Sequence, residues 1–202
     1  MTSEAATFAT EPRLVCLAGA ECTGKTTLAQ ALAAHFRGVS LWVPEYLRIF
    51  CERQGRTPKR HEQLHILQEQ VRQEQQTLES ARRLGLAWVF CDTAPLLTAI
   101  YSDCLFDDAG LYAQARALHG RYALTLVLEP DIPWVADGIL RDGAQARAVV
   151  HARLVQRLAA WGVPYTRICG QGAQRQRAAI EALAALAALA ALEALTTYDG
   201  SG

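Results

Sequence analysis

Gly19-Ala20-Glu21-Cys22-Thr23-Gly24-Lys25-Thr26-Thr27 is the stretch of this chain whose residue types and spacing carry the clearest chemistry. It matches the phosphate-binding pattern G-x-x-x-x-G-K-[ST] at every fixed position. Gly19 and Gly24 allow a turn tight enough for successive backbone N–H groups to point inward and form a nest for a polyanion. Lys25 can then reach the β- and γ-phosphates of a nucleoside triphosphate, and Thr26 can place its hydroxyl on Mg²⁺. The remaining loop residues, Glu21, Cys22, Thr23 and Thr27, line the same nest. A helix starting here adds unpaired N–H groups and the positive end of its dipole. ATP with Mg²⁺ is the expected ligand.

Such a loop is common to kinases, ATPases, GTPases and switches, so the side chains that approach the γ-phosphate from elsewhere decide the chemistry. Ligands of open parallel sheets bind beyond the carboxyl ends of the strands. That rule selects Pro44-Glu45-Tyr46-Leu47-Arg48, Cys91-Asp92-Thr93 and Glu129-Pro130-Asp131. Asp92 can hold Mg²⁺ directly or through water, or it can cap the helix that begins near Pro95. Glu45 is the first candidate for general base toward an attacking hydroxyl, with Asp92 the other carboxylate that can accept the proton; alternatively Glu45 complements the dipole of the helix after Pro44. Arg48, three residues on, can bind a substrate phosphate or pair with Glu45. Trp42 and Tyr46 can stack on a flat ring or belong to the core. Arg141 and Arg147, in a region interrupted by Gly138 and Gly143, suit a lid that closes over a triphosphate, or are solvated surface arginines. Trp134 opens that region and is a candidate substrate contact.

These side chains need elements to position them. Leu14 to Ala18 is wholly apolar, as a parallel strand covered on both faces requires. Leu28, Ala31 and Leu32 then recur at helical spacing up to Arg37, with Gly38 as the expected cap. Further strand-like runs lie at Val39 to Val43, Leu86 to Cys91, Tyr122 to Leu128 and Val163 to Ile168. Their alternation with helical periods predicts an α/β fold of three layers, a five-stranded parallel sheet with helices on both faces. From Glu62 to Leu84 the spacing predicts a long amphipathic helix ending at Gly85, its polar face solvated. Leu183, Leu186, Leu189, Leu192 and Leu195 recur every third residue. That spacing drifts around a helix of 3.6-residue period, so a terminal helix packed on the sheet is expected rather than a coiled-coil seam. Gly170-Gln171-Gly172 can cradle adenine or form an ordinary turn.

The chain has 202 residues, 51% of them apolar, enough for one substantial core. A single domain over residues 13–197 is expected, between flexible ends at 1–12 and 198–202. Lysine plus arginine equals aspartate plus glutamate at 20 each, so no global field favours a nucleic acid or an acidic membrane. No apolar stretch approaches the length of a bilayer span. The six cysteines, Cys16, Cys22, Cys51, Cys91, Cys104 and Cys169, lack metal or redox spacing and read as structural thiols of a cytoplasmic protein. The expected partner is a nucleoside-like small molecule, with no nucleic acid and no membrane. Self-association into a homo-oligomer is compatible with the sequence.

Taken together, Gly-Ala-Glu-Cys-Thr-Gly-Lys-Thr-Thr, Pro-Glu-Tyr-Leu-Arg, Phe-Cys-Asp-Thr and Trp-Val-Ala-Asp-Gly-Ile-Leu-Arg-Asp-Gly resemble the ribosylnicotinamide kinase domain of NadR-type bacterial proteins, over about residues 13 to 170. The resemblance implies phosphorylation of the 5′-hydroxyl of nicotinamide riboside by ATP, giving nicotinamide mononucleotide for NAD synthesis. It matches Lys25 and Thr26 to the nucleotide and Mg²⁺ residues and Glu45, Tyr46 and Arg48 to the substrate side. Asp92 matches the strand-end acid and Arg141 the lid. NadR-type proteins also carry an adenylyltransferase domain and often a DNA-binding helix-turn-helix. Neither is expected ahead of Leu14, so neither NAD formation from the mononucleotide nor repression is expected. The family pattern has Trp directly before the Glu-Tyr pair, where this chain has Pro44, with Trp42 two residues earlier. The rival expectations are a deoxynucleoside or nucleotide kinase and a nucleotide-dependent regulatory module.

Overall fold

Five strands carry the apolar runs in a computed structural model that describes residues 11–134 and 143–198. They are β1 (Arg13–Ala18), β2 (Ser40–Val43), β3 (Trp88–Asp92), β4 (Tyr122–Leu128) and β5 (Thr166–Ile168). All their pairings are parallel, in the order β2-β3-β1-β4-β5. Parallel pairing needs crossovers, and helices supply them: α1 (Lys25–His35), α2 (Tyr46–Gln54), α3 (Gln63–Leu84), α4 (Pro95–Phe106), α5 (Tyr112–His119), α6 (Gly143–Trp161) and α7 (Gly172–Tyr198). The expected three-layer α/β architecture is the one observed.

Alternation along β1 shows how the layers form. Leu14, Cys16 and Ala18 face one core, which α3, α4, α5 and α6 cover, while Val15 and Leu17 face the other, covered by α1 and α7. Successive side chains point to opposite faces, so a strand buried on both sides must be apolar throughout. Val15, Cys16 and Leu17 are fully buried.

Several boundaries differ from the sequence expectation. Residue Val39 precedes β2 because its carbonyl accepts the N–H groups of Ala87 and Trp88 in the turn before β3. Val163 lies in the turn just after α6, where its N–H donates to the Leu158 carbonyl at 3.0 Å, and β5 spans only Thr166–Ile168. Helix α1 stops at His35 with Phe36 as its cap, and Gly38 lies in the turn beyond. The polar side of α3 is not merely solvated, because Gln63, Gln70 and Glu74 are buried. Leu183 packs in the core, whereas Leu189 and Leu192 are 59% and 60% exposed, so only the first part of α7 rests on the sheet. Tyr198, expected in the flexible end, is the last residue of α7. Cys16, Cys51 and Cys91 are buried free thiols, Cys169 is exposed, and Cys22 and Cys104 are half-buried.

Candidate functional site

Because every strand runs the same way, the segments after β1, β2 and β3 emerge at one edge of the sheet. They frame a cleft of about 650 Å³ lined by Glu21, Cys22, Thr23, Gly24, Lys25, Thr26 and Thr27 on one side and Glu45, Leu47 and Arg48 on the other. Thr57, Pro58, Gln63, Tyr101, Leu105 and Phe106 close it.

The loop after β1 is built as its glycines require. A Cβ on Gly19 would lie 2.6 Å from Thr23 Oγ1 and 3.1 Å from the Leu128 carbonyl oxygen, so only glycine fits there. Gly24 has φ of +80° and serves as the N-cap of α1, whose first-turn N–H groups face the nest without a side-chain cap. The Thr23 hydroxyl donates to the Ala20 carbonyl at 2.8 Å and fixes the turn. Lys25 Nζ donates to the same carbonyl at 3.1 Å, which leaves the ammonium group inside the loop.

Asp92, at the end of β3, is 1% exposed. Its Oδ2 accepts the Thr26 hydroxyl proton at 2.6 Å, and its Oδ1 has no hydrogen-bond partner among the described residues. Burial raises its carboxyl pKa above the ordinary range, while Lys25 and the Thr26 hydroxyl pull it down. It does not cap α4, whose N-cap is Ala94. The next residue, Thr93, has φ of +82°, a strained conformation for a β-branched residue, and its N–H is held by the Leu17 carbonyl at 3.1 Å. The hard oxygen donors of Thr26 and Asp92, one of them buried without a partner, fit Mg²⁺, which takes one or two protein oxygens and completes its shell with water and phosphate.

Glu45 occupies the N-cap position of α2 but makes no side-chain capping bond. Its carboxyl lines the cleft instead. Burial pushes the Glu45 pKa up, Lys25 opposes the rise, Asp92 adds to it, and Arg48 again opposes it. The N–H of Tyr46 is taken by Gln70 Oε1 at 2.9 Å, from the buried side of α3. Gln70 Nε2 donates to Glu74 Oε1 at 3.0 Å, and Glu74 Oε2 accepts from Arg121 and, at 2.8 Å, from the Tyr122 hydroxyl. A buried chain of polar contacts thus runs from behind Glu45 to β4.

The structure brings Lys25, Thr26, Glu45 and Arg48 to one cleft, with Asp92 directly beneath Thr26. Three expected substrate contacts lie elsewhere. Trp42 pairs in register with Phe90 and packs against the α1–α7 core, since its position in β2 points it to that face. Tyr46 packs with Phe50, Cys51 and Ile66, and its hydroxyl sits 3.3 Å from His65 Nε2. Trp134 does not line the cleft among the described residues. Arg147, expected on a lid, donates to the carbonyls of Pro130 and, at 2.9 Å, Ile132, so it ties α6 to the segment after β4. Arg141 lies outside the described residues.

Arg175, which no motif marked, is 4% exposed and braces the phosphate loop. It donates to the carbonyls of Thr23, Gly170 (2.8 Å) and Glu129 (3.0 Å) and pairs with Asp131. Only its distance of 152 residues from Thr23 hid it. Asp131 Oδ2 accepts the Gly170 N–H at 2.7 Å, so the Gly170-Gln171-Gly172 turn is held by protein contacts. Among the described residues no helix is long and apolar enough to cross a membrane.

No curated protein matches the sequence. Two solved structures of NadR protein, one in complex with NAD and AMP-PNP and one in complex with NR, share its fold with TM-scores of 0.67 and 0.71. Each is 23% identical over 87% of this chain, which spans 49% of theirs, about half their length. A thymidylate kinase from Ehrlichia chaffeensis is similar with a TM-score of 0.60 and 15% identity, over 87% of this chain and 99% of that one. At these identities the likeness is one of fold. Residues 14–175 match the family described as AAA domain, over most of the chain and across the phosphate loop, Glu45, Asp92 and Arg175; the chain belongs to that AAA domain family of phosphate-loop proteins.

Proposed function

We propose that this chain is a phosphotransferase that moves the γ-phosphoryl group of ATP to a hydroxyl of a nucleoside-like small molecule, with the 5′-hydroxyl of nicotinamide riboside as the first acceptor. One observation carries the reading: Glu45 lines the same cleft as Lys25 and Thr26, relieved of helix capping and made more basic by burial. A nucleotide switch has no use for such a carboxylate, whereas an attacking hydroxyl needs a proton acceptor.

The acceptor oxygen forms a bond to the γ-phosphorus as the bond to the bridging oxygen breaks. ADP leaves with that electron pair, and the hydroxyl proton passes to Glu45. Lys25 and the N–H groups at the start of α1 stabilise the charge of the loose transition state, and the cleft walls hold the two substrates in line. Thr26 and Asp92 are the residues that would hold Mg²⁺, which when bound supplies positive charge to the phosphate oxygens. Asp92 is already engaged with Thr26, which favours Glu45 as the base. Arg141 is kept as the proposed lid residue, and Arg147, occupied by carbonyls, is not. Reduced thiols and ATP chemistry suit the cytoplasm.

The NadR structures, solved with AMP-PNP and with NR, support this choice of acceptor. A nucleoside monophosphate is the second reading, favoured by the full-length likeness to thymidylate kinase and by Arg48 on the cleft wall, where an acceptor phosphate would find a cation. ADP release from ATP and Mg²⁺ with nicotinamide riboside, thymidine and thymidylate as competing acceptors tests the assignment. The highest kcat/KM is expected for nicotinamide riboside. Faster turnover of thymidylate transfers the assignment to the second reading, and tight ATP binding without transfer to any acceptor removes the kinase reading altogether.

A further inference from the structure

A second hollow, of about 630 Å³, lies at the opposite end of the sheet from the phosphate loop. Pro12, Arg13 and Leu14 at the start of β1 line it, whereas the loop follows the end of that six-residue strand, about 20 Å away at 3.3 Å per residue. Its volume suits a small molecule. One wall is a stripe of α3, in which Gln75, Leu78, Glu79 and Arg82 stand at i, i+3, i+4 and i+7, the spacing that puts side chains on one helix face. The start of β4, with Arg121 and Ala123, forms the other.

Three arginines and a single carboxylate therefore line one hollow of a chain whose charges otherwise balance. Arg82 Nε already holds an anionic group there, the carboxylate of Glu11 at 2.8 Å. The side chains of that pair are 51% and 77% exposed, and a surface pair of this kind exchanges cheaply. Arg121 is fixed from behind, with its Nη2 on Glu74 and its guanidinium 5.3 Å from the centre of the Tyr122 ring. Its Nε is buried and has no hydrogen-bond partner, so one charged donor is left unspent. Leu14 pairs with Tyr122 and Val15 with Leu124, which makes Ala123 a bulge. A bulge re-aims the side chains beside it, and Arg121 is two residues away. None of these residues lines the front cleft around Lys25.

We infer that the hollow binds a phosphate monoester carried on a small hydroxylated body, a sugar phosphate in its simplest form. Such a group carries close to two negative charges at neutral pH, and guanidinium forks match its oxygens. Gln75 and Glu79, about one turn apart on α3, offer a donor and acceptors to the hydroxyl groups, and Leu78 with Pro12 gives the sugar ring an apolar rest. Glu79 repels a second anionic group, which disfavours a dicarboxylate or a bisphosphate. The ligand leaves the pair of Arg121 with Glu74 in place, because it takes the Nε donor that this pair does not use.

Calorimetry on the full chain, with ADP and Mg²⁺ saturating the phosphate loop, tests this with ribose 5-phosphate, ribose and inorganic phosphate as titrants. Ribose 5-phosphate should bind at one site per chain, about a hundredfold more tightly than ribose and about tenfold more tightly than inorganic phosphate. Arg13→Ala and Arg82→Ala should each weaken it by about tenfold, with ADP affinity within about twofold. Arg121→Lys keeps a cation opposite Glu74 but removes the Nε donor, and should weaken it as much. Glu11→Ala frees Arg82 and should strengthen binding about threefold. If Arg121→Lys does not fold, the Arg82 and Glu11 variants, at exposed positions, carry the reading. No binding of ribose 5-phosphate by the unaltered chain, or binding that the folded arginine variants leave unchanged, overturns the inference. Binding abolished by Arg48→Ala does the same, since it would put the phosphate in the front cleft beside Glu45.

Discussion

The two sides of the cleft are built in opposite ways. The nucleotide side is closed mainly from within: its turn is fixed by Thr23 onto Ala20, three residues back, and Lys25 rests on the same carbonyl, with Arg175 and Asp92 as its distant supports. The acceptor side is assembled from afar. The backbone next to Glu45 is held by a bond from the Tyr46 N–H to Gln70, 24 residues on, and that bond is backed by Glu74 and by Tyr122, a further 48 residues on. A backbone nest asks only for glycines and a helix start, so a short motif can specify it. A side chain aimed across a cleft needs its neighbours fixed in place, and paired buried polar groups do that. The nucleotide side therefore leans on distant residues at fewer points, Arg175 and Asp92, whereas the acceptor side has no local closure of its own.

Lys25→Ala should show the largest effect and test the nucleotide side. Removing the ammonium group takes charge from the γ-phosphate in the transition state, and kcat/KM should fall by about a thousandfold or more, some 4 kcal/mol or above. Stability should hardly change, since Lys25 makes a single hydrogen bond to its own loop. Activity near that of the unaltered chain would mean that the loop does not hold the transferred phosphate.

Arg121→Ala strikes the acceptor side from behind. Glu74 is fully buried, and burial already pushes its pKa up against the pull of Arg121. Without that cation a buried carboxylate is left uncompensated, so unfolding in urea should show a loss of about 3–5 kcal/mol. ATP affinity of the folded fraction should be retained. A loss below about 1 kcal/mol would show that the chain behind Glu45 is not what holds that side together.

Glu45→Gln keeps the shape and removes the base. Turnover should fall by about a hundred- to a thousandfold, close to 3–4 kcal/mol, with far less change in ATP binding. Unchanged turnover would transfer the proton to Asp92.

How far the sequence could be read follows the same division. The loop, Asp92 at a strand end and the parallel sheet were legible because each depends on a short period or motif. Gln70 and Glu74 look like any polar stripe on a long helix, because nothing local reveals that Tyr122 and Arg121 lie beneath them. The short distance along the chain from Trp42 to Glu45 suggests a place near the ligand, yet the parity of β2 sends Trp42 to the face covered by α1 and α7. Arg175 reaches the phosphate loop from the far end of the chain, and Thr93 owes its strained φ to the exit from β3, which composition does not encode.

Acid should weaken the packing around Tyr122, behind the polar chain. His119 is 2% exposed, lies 3.0 Å from Thr125 Oγ1 and stands edge-on to Tyr122. Burial lowers its pKa to about 4, with the charge of Arg121 acting the same way. The unfolded chain therefore takes up a proton that the folded chain refuses. The contribution to stability is complete above about pH 6.5 and is lost as the pH falls towards 4, amounting to about 3 kcal/mol. His119→Gln should flatten that part of the stability–pH curve. An unchanged slope would assign the acid sensitivity to other groups.

Gln70→Leu should have the smallest effect and discriminates most finely. Loss of the amide leaves the Tyr46 N–H without its acceptor and Glu74 with one partner fewer, which should lower stability by about 1–3 kcal/mol. Glu45, already at the N-cap position, would then be free to accept N–H groups of its own helix, the ordinary behaviour of a carboxylate there. A carboxylate turned back onto α2 is no longer aimed at the acceptor hydroxyl, so kcat should fall by about tenfold while the KM for ATP holds. Should stability fall and kcat stay the same, the aim of Glu45 does not depend on Gln70, and the contrast between the two sides of the cleft would narrow.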